Sequence, residues 1–112
     1  MFIVGEPKDI AQTYLEGAFT KGPGALDKSV DEMDEEDLRI MMTYYYMALR
    51  HAYRERQTAE VLEILLECYD EIFVALVKVS ETFVKKMLEG RIQTPMGPEY
   101  RTKYYRLAGG AR

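Results

Sequence analysis

The sequence predicts an all-α protein: a three-helix bundle built on a long helical hairpin (about residues 35–57 and 59–89), with a shorter N-terminal helix and an extended basic C-terminal tail. The clearest observation is a heptad pattern in the second arm of the hairpin, where apolar residues are alternately three and four positions apart. The residues in this pattern are Leu62, Leu65, Tyr69, Ile72, Leu76, Val79 and Phe83. Glycines at 22, 24 and 90 favour helix ends on either side of the hairpin. Apolar residues make up 47% of the chain, which is typical of a globular protein.

The N-terminal helix is predicted to begin near Pro7 and to end before Gly22. Proline suits the first helical position, and Asp9 then lies in the first turn, where the helix dipole favours an anion. Ile10 and Tyr14 begin a run of apolar residues at helical spacing. Residues 25–33 are predicted to form a linker to the second helix.

The second helix is predicted to follow Asp34, which is placed to cap it. Apolar residues occur on two faces of this helix, and this pattern predicts neighbours on two sides. The turn to the third helix, residues 54–58, contains neither glycine nor proline, so one continuous helix over 35–89 is the alternative. If the chain does break there, Thr58 is the natural cap of the third helix.

The third helix is apolar on all sides from Ile72 to Val77 and should be buried there. At about 1.5 Å per residue it is roughly 46 Å long, against roughly 33 Å for the second helix, so about two turns should extend beyond the hairpin. A chain of this size leaves such surface uncovered, and uncovered apolar surface usually marks an interface. We therefore expect a homo-oligomer or a complex with a protein partner. The expected interface residues are Ile40, Tyr44, Met47, Phe73 and Val77.

Charge is distributed unevenly along the chain, although the net charge is −4. Residues 1–37 carry ten acidic and three basic side chains, whereas residues 91–112 carry one acidic and five basic side chains. The sequence therefore divides into a helical domain (1–90) and a basic tail rich in Tyr and Arg (91–112). The single cysteine, Cys68, is typical of a reducing compartment. Because neither a secretory signal nor a membrane span is evident, we expect a cytoplasmic protein that does not contact a membrane.

The sequence contains no recognisable catalytic, cofactor or metal motif. The only histidine, His51, lacks the acidic residue three positions earlier that a Glu-x-x-His metal motif needs, because Ala48 stands there. Cys68 lies next to Glu67, and no neighbour in the sequence would activate it as a nucleophile. No glycine-rich phosphate loop is present. The sequence therefore predicts a protein that is not an enzyme and has no cofactor, no metal and no small-molecule substrate.

Arginine and tyrosine side chains mark two candidate contact surfaces. On one face of the second helix they are Arg39, Tyr46, Arg50 and Arg54. In the tail the basic and aromatic residues are Arg101, Lys103, Tyr104, Tyr105 and Arg106. Cations neutralise phosphates and tyrosine rings stack on unpaired bases, so these residues could contact nucleic acid or a protein partner. The alternative is that the arginines of the helix form surface ion pairs with the acidic residues of the third helix.

Three functions are compatible with these observations. The first is a non-enzymatic helical subunit of a larger assembly that acts through protein–protein contacts. The second is a small helical subunit of a nucleoprotein complex, which would contact single-stranded nucleic acid through the Arg/Tyr face and the basic tail. The third is a regulator or inhibitor, of viral or other origin, that docks on a larger machine.

Overall fold

The computed structural model describes residues 5–19, 29–90 and 94–110, and this part of the chain is all-α, as predicted. The described residues form five α-helices: α1 (Pro7–Phe19), α2 (Glu35–Arg54), α3 (Ala59–Val79), α4 (Glu81–Glu89) and α5 (Arg101–Gly110). Two short 3-10 helices precede α2 and α5, at Val30–Glu32 and Pro98–Tyr100. The predicted hairpin is confirmed, because α2 and α3 pack against each other along their lengths.

Local capping signals set both ends of the turn between α2 and α3. The turn is a Schellman motif, in which the amide of Gln57 donates to the carbonyl of Ala52 and the amide of Arg56 donates to the carbonyl of Tyr53, both at 3.1 Å. Arg56 supplies the left-handed residue of this motif, with φ 57°. Thr58 then caps α3. The chain therefore forms two helices here, and the continuous alternative is excluded.

The predicted helix over 59–89 is wrong in one respect, because the chain breaks at Ser80. Ser80 is extended (φ −128°, ψ 101°), ending α3 and capping α4 by accepting a 3.1 Å hydrogen bond from the Phe83 amide. The Arg39 guanidinium donates to the same hydroxyl at 3.4 Å. The heptad pattern runs across this break, but Val79 is 57% exposed and so is not part of the core.

The break removes the predicted overhang of the third helix. Because α4 turns away at Ser80, the far end of the hairpin is covered by the chain itself: α4 packs on α3 and α5 packs on both. Phe73 is only 1% exposed and Val77 6%. From Ile72 to Val77, four of the six side chains are buried by the chain's own helices, whereas Val74 and Ala75 are only half-buried. The length argument for an oligomer therefore fails, while self-association stays an untested prediction.

The predicted extended tail is also corrected, because residues 101–110 form α5. The ring of Tyr104 is fully buried, 4.9 Å from the ring of Phe73 and 5.5 Å from that of Tyr69. Its hydroxyl donates a 2.6 Å hydrogen bond to Asp70 Oδ1, and Lys103 forms an ion pair with the same carboxylate. Met96 and Ala108 are likewise in the core. Within the described ranges, part of the predicted tail therefore packs into the same core as the helices that precede residue 90.

At the other end of the hairpin, α1 packs across α2 and α3. Among the side chains of α1 that the structure describes, those of Ala11, Tyr14 and Ala18 are buried. Among the helices of the described ranges, none has both the length and the apolar character needed to cross a bilayer.

Candidate interaction surfaces

The structure places the five predicted interface residues in different environments. Tyr44, Phe73 and Val77 belong to the core of the single chain. Their prediction as interface residues is wrong, because the chain's own helices cover them. Ile40 is half-buried and packs against the same core. Only Met47, with 43% of its surface exposed, is open to a partner.

Two of the four Arg/Tyr residues predicted on α2 are engaged within the fold. Arg39 donates to Ser80, forms a 3.6 Å ion pair with Glu35, and lies 6.0 Å above the Phe83 ring. The Arg39 guanidinium therefore holds the joint between α3 and α4. Tyr46 is half-buried, and its hydroxyl donates at 3.5 Å to the carbonyl of Thr94.

The other two, Arg50 and Arg54, face an open cleft of about 450 Å³. This cleft is lined by Tyr46, Met47, Arg50, His51, Arg54 and Glu55. Arg54 also borders a second open cleft, of about 440 Å³, on its other side. That cleft is lined by Tyr53, Arg54, Arg56, Gln57 and Leu62. We call Arg50, Arg54 and Arg56 together the arginine strip.

A hydrogen-bonded cluster next to the arginine strip joins α1 to the hairpin turn. The Tyr14 hydroxyl donates to the Glu55 carboxylate and accepts from Gln57 Nε2 at 2.9 Å. His51 Nε2 lies 3.3 Å from Glu55 Oε1. Partial burial and the bond to Glu55 raise the pKa of Tyr14 to about 12, and the same bond lowers the pKa of Glu55. The Glu55 carboxylate therefore already has two partners.

The predicted contacts on α5 point in opposite directions. Lys103 and Tyr104 face α3, so Tyr104 is corrected from a surface contact to a core residue. Arg101, Tyr105 and Arg106 are exposed. The Tyr105 hydroxyl donates at 3.2 Å to the carbonyl of Gly90, which holds this ring near the end of α4.

Sequence reasoning missed an open groove of about 650 Å³ along α3. Six apolar side chains line it: Val30, Met33, Leu38, Val74, Ala75 and Val79. Charged side chains complete the lining: Asp31, Glu67, Asp70, Glu71 and Lys78. We call this site the α3 groove. Only the folded chain shows it, because residues 30–33, which the sequence suggests are a linker, form one of its walls.

The charges of the α3 groove differ in their availability. Asp70 is occupied by Lys103 and Tyr104. Asp31, Glu67 and Glu71 are exposed, and within the described ranges none of them forms an ion pair. The α3 groove therefore presents three open carboxylates above an apolar floor.

Other chemistry near the α3 groove is limited. Burial raises the pKa of the Cys68 thiol, and the neighbouring carboxylates of Glu71 and Glu67 raise it further, so this thiol is a poor nucleophile. Within the described ranges, no three His, Cys, Asp or Glu side chains are grouped so as to hold a metal ion. Comparisons with protein-family models, curated proteins and solved structures find no match to this chain.

Proposed function

We propose that this chain is a non-enzymatic helical interaction subunit, which docks a basic amphipathic segment of a partner protein in the α3 groove. The observation that carries the proposal is the combination of an apolar floor with open carboxylates in one groove. An amphipathic helix that packs into an apolar groove is a common mode of peptide recognition.

Charge complementarity defines the partner. Apolar side chains of the bound segment would cover Val74, Ala75 and the exposed Val79. Lysine or arginine side chains beside them would pair with Glu67 and Glu71, which lie one turn apart on α3. Removing the apolar area from water would supply most of the binding free energy, and the ion pairs would supply specificity.

Lys78 adds a positive charge to the lining of the α3 groove. It lies on α3 about two turns beyond Glu71, and within the described ranges it has no ion-pair partner. A bound segment whose basic residues face Glu67 and Glu71 would therefore be preferred in one direction. Reversing the order of charges in that segment places like charges together and weakens binding.

The test uses a fluorescent model helix with leucines on one face and lysines beside them, titrated against the purified chain. We expect saturable binding that weakens as salt is added. The double variant Glu67→Lys/Glu71→Lys should weaken this binding at least about tenfold, because attraction becomes repulsion at the rim. Lys78→Glu should strengthen it.

The matched control is Glu16→Lys/Glu60→Lys, which makes the same change of charge at exposed positions outside the α3 groove, and Glu60 is roughly 10 Å from Glu67 along α3. This control should bind the model helix within about twofold of the unmodified chain, since salt screens charges more than about 10 Å away. Equal weakening by both double variants, or no binding by the folded unmodified chain, would contradict the proposal.

Docking of this kind serves two of the roles that the sequence leaves open: a subunit of a larger assembly, and a regulator that binds a larger machine. A cytoplasmic location, which the single cysteine favours, belongs to the same proposal. The proposal includes a second copy of the chain among the protein partners, and light scattering of the purified chain at several concentrations tests for it.

A further inference from the structure

The arginine strip is a second charged surface, on another part of the molecule from the α3 groove. Arg50 and Arg54 are one turn apart on α2, and Arg56 follows in the hairpin turn. Within the described ranges, none of the three guanidinium groups has an ion-pair partner. The sequence also allowed that acidic residues of α3 neutralise Arg50 and Arg54. The described contacts contain no such ion pairs.

The Glu55 carboxylate lines the same cleft as Arg50 and Arg54 but is bonded to other partners. Glu55 accepts from the Tyr14 hydroxyl and lies 3.3 Å from His51 Nε2. These contacts hold the carboxylate to the side of α1. The helix dipole contributes negative potential at the end of α2, and this favours cations such as Arg54 there, but it does not account for Arg56, which lies beyond the helix.

Arg56 stands where the backbone favours glycine. Its φ of 57° is the left-handed conformation of the Schellman motif, which costs a residue with a Cβ roughly 1–2 kcal/mol. Residues held in such conformations cluster at binding and active sites. A guanidinium at this position extends the arginine strip past the end of α2.

Tyrosine rings accompany the arginines in both clefts. Tyr46 shares one cleft with Arg50 and Arg54, and Tyr53, which is 40% exposed, shares the other with Arg54 and Arg56. A cationic surface interleaved with aromatic rings is the arrangement that binds single-stranded nucleic acid, because cations contact phosphates and rings stack on unpaired bases.

We propose that the arginine strip, with Tyr53 and Tyr46, binds single-stranded nucleic acid across the two clefts. This site does not depend on the α3 groove. Duplex DNA does not fit it, since the whole chain has a net charge of −4 and duplex binders are commonly basic over a whole domain. Stacking on unpaired bases needs only a local cationic surface beside an exposed ring such as that of Tyr53.

The test measures binding of a fluorescein-labelled oligothymidylate by the full chain over a range of salt concentrations. Each phosphate contact contributes about 0.7 to the slope of log affinity against log salt for a single strand, so Arg50→Ala/Arg54→Ala should make the slope shallower by roughly 1.4. The matched control is Arg101→Ala/Arg106→Ala, which removes the same charge from exposed positions on α5. This control should leave the slope unchanged.

The variant Arg56→Gly distinguishes a loss of binding affinity from a loss of folding stability. Glycine relieves the left-handed conformation, so this variant should unfold at a higher temperature than the unmodified chain. It should nevertheless bind the oligothymidylate less tightly, because one cation is lost. Arg56→Lys should keep the binding. Tyr53→Leu should weaken binding at least about fivefold if a base stacks on the ring, whereas Tyr53→Phe should retain it.

Three results would overturn the proposal. One is equal loss of affinity in the α2 and α5 arginine variants, because this would indicate diffuse electrostatic attraction. Another is competition by inorganic polyphosphate as strong as that by unlabelled oligothymidylate at equal phosphate concentration, because bases would then contribute nothing. The third is no binding by the unmodified chain at low salt.

Discussion

The Tyr104 hydroxyl donates a hydrogen bond to the Asp70 carboxylate at 2.6 Å, and this contact fastens α5 to α3. Tyr104 is fully buried, and Lys103 pairs with the other oxygen of the same carboxylate. A hydroxyl buried at this depth needs a partner, since an unpaired polar group costs about 1–3 kcal/mol. Asp70 therefore positions the segment that closes the far end of the hairpin.

Tyr104→Phe removes this hydrogen bond and keeps the ring. We expect it to lower the free energy of unfolding by about 1.5–3 kcal/mol, the usual contribution of a hydrogen bond to a charged group. Urea unfolding measures the loss. The control is Tyr105→Phe, whose hydroxyl is on the exposed side of α5 and should contribute less than about 0.5 kcal/mol. Similar losses in both variants would show that the contact with Asp70 contributes little.

Alkaline pH should destabilise the fold through its buried tyrosines. Burial and the bond to Asp70 raise the pKa of Tyr104 above its ordinary value of 10.0, and burial also raises the pKa of Tyr69. Above pH 10 the unfolded chain therefore releases protons that the folded chain keeps, so stability is fully present below that pH and falls as the pH rises above it.

Urea midpoints from about pH 8 to about pH 11 measure this effect. Tyr104→Phe should reduce the decline, because the variant no longer releases that proton on unfolding. Tyr105→Phe should follow the unmodified chain. A decline of the same steepness in all three proteins would assign it to groups other than Tyr104.

Ser80→Ala should weaken the joint between α3 and α4. It removes the cap of α4 and the acceptor of the Arg39 guanidinium, so we expect a loss of about 1–2 kcal/mol in the free energy of unfolding. The control is Ser29→Ala at an exposed serine whose hydroxyl caps no helix. If Ser80→Ala instead raises helix content measured by circular dichroism and keeps stability, α3 and α4 can fuse and the cap does not determine the break.

The sequence predicts the features of this fold that depend on residues close together in the chain, and it misses those that depend on distant residues. Asp34 and Thr58 were predicted as caps correctly, because a cap bonds an amide only three residues away. Ser80 was missed because Leu76 and Phe83 keep the heptad spacing across it, and periodicity does not register a single extended residue. The bond between Tyr104 and Asp70 joins residues 34 positions apart, so no local pattern reveals it.

The same reasoning explains the mixed result for the candidate sites. Arg50 and Arg54 were identified because one helical face can be read from spacing, and both do line an open cleft. The α3 groove was missed because its wall at residues 30–33 meets α3 only in the folded chain. Arg56 was missed because its importance depends on a left-handed backbone conformation. Glycine is the usual signal of that conformation in a sequence, and this turn contains none.

Substitutions of Phe73 test whether this residue belongs to the core of a single chain or to a subunit interface. Its ring lies 5.4 Å from that of Phe83 and 4.9 Å from that of Tyr104, so Phe73→Ala should lower the free energy of unfolding by about 3–5 kcal/mol. Because the contacts of Phe73 lie within one chain, Phe73→Ala should lower the unfolding midpoint by the same amount at every protein concentration. If Phe73→Ala does not fold, Phe73→Leu gives the same comparison with a smaller loss. Met47→Ala, at an exposed position, should leave the midpoint unchanged. A midpoint that rises with concentration in the unmodified chain and loses that dependence in the Phe73 variant would restore Phe73 to a subunit interface.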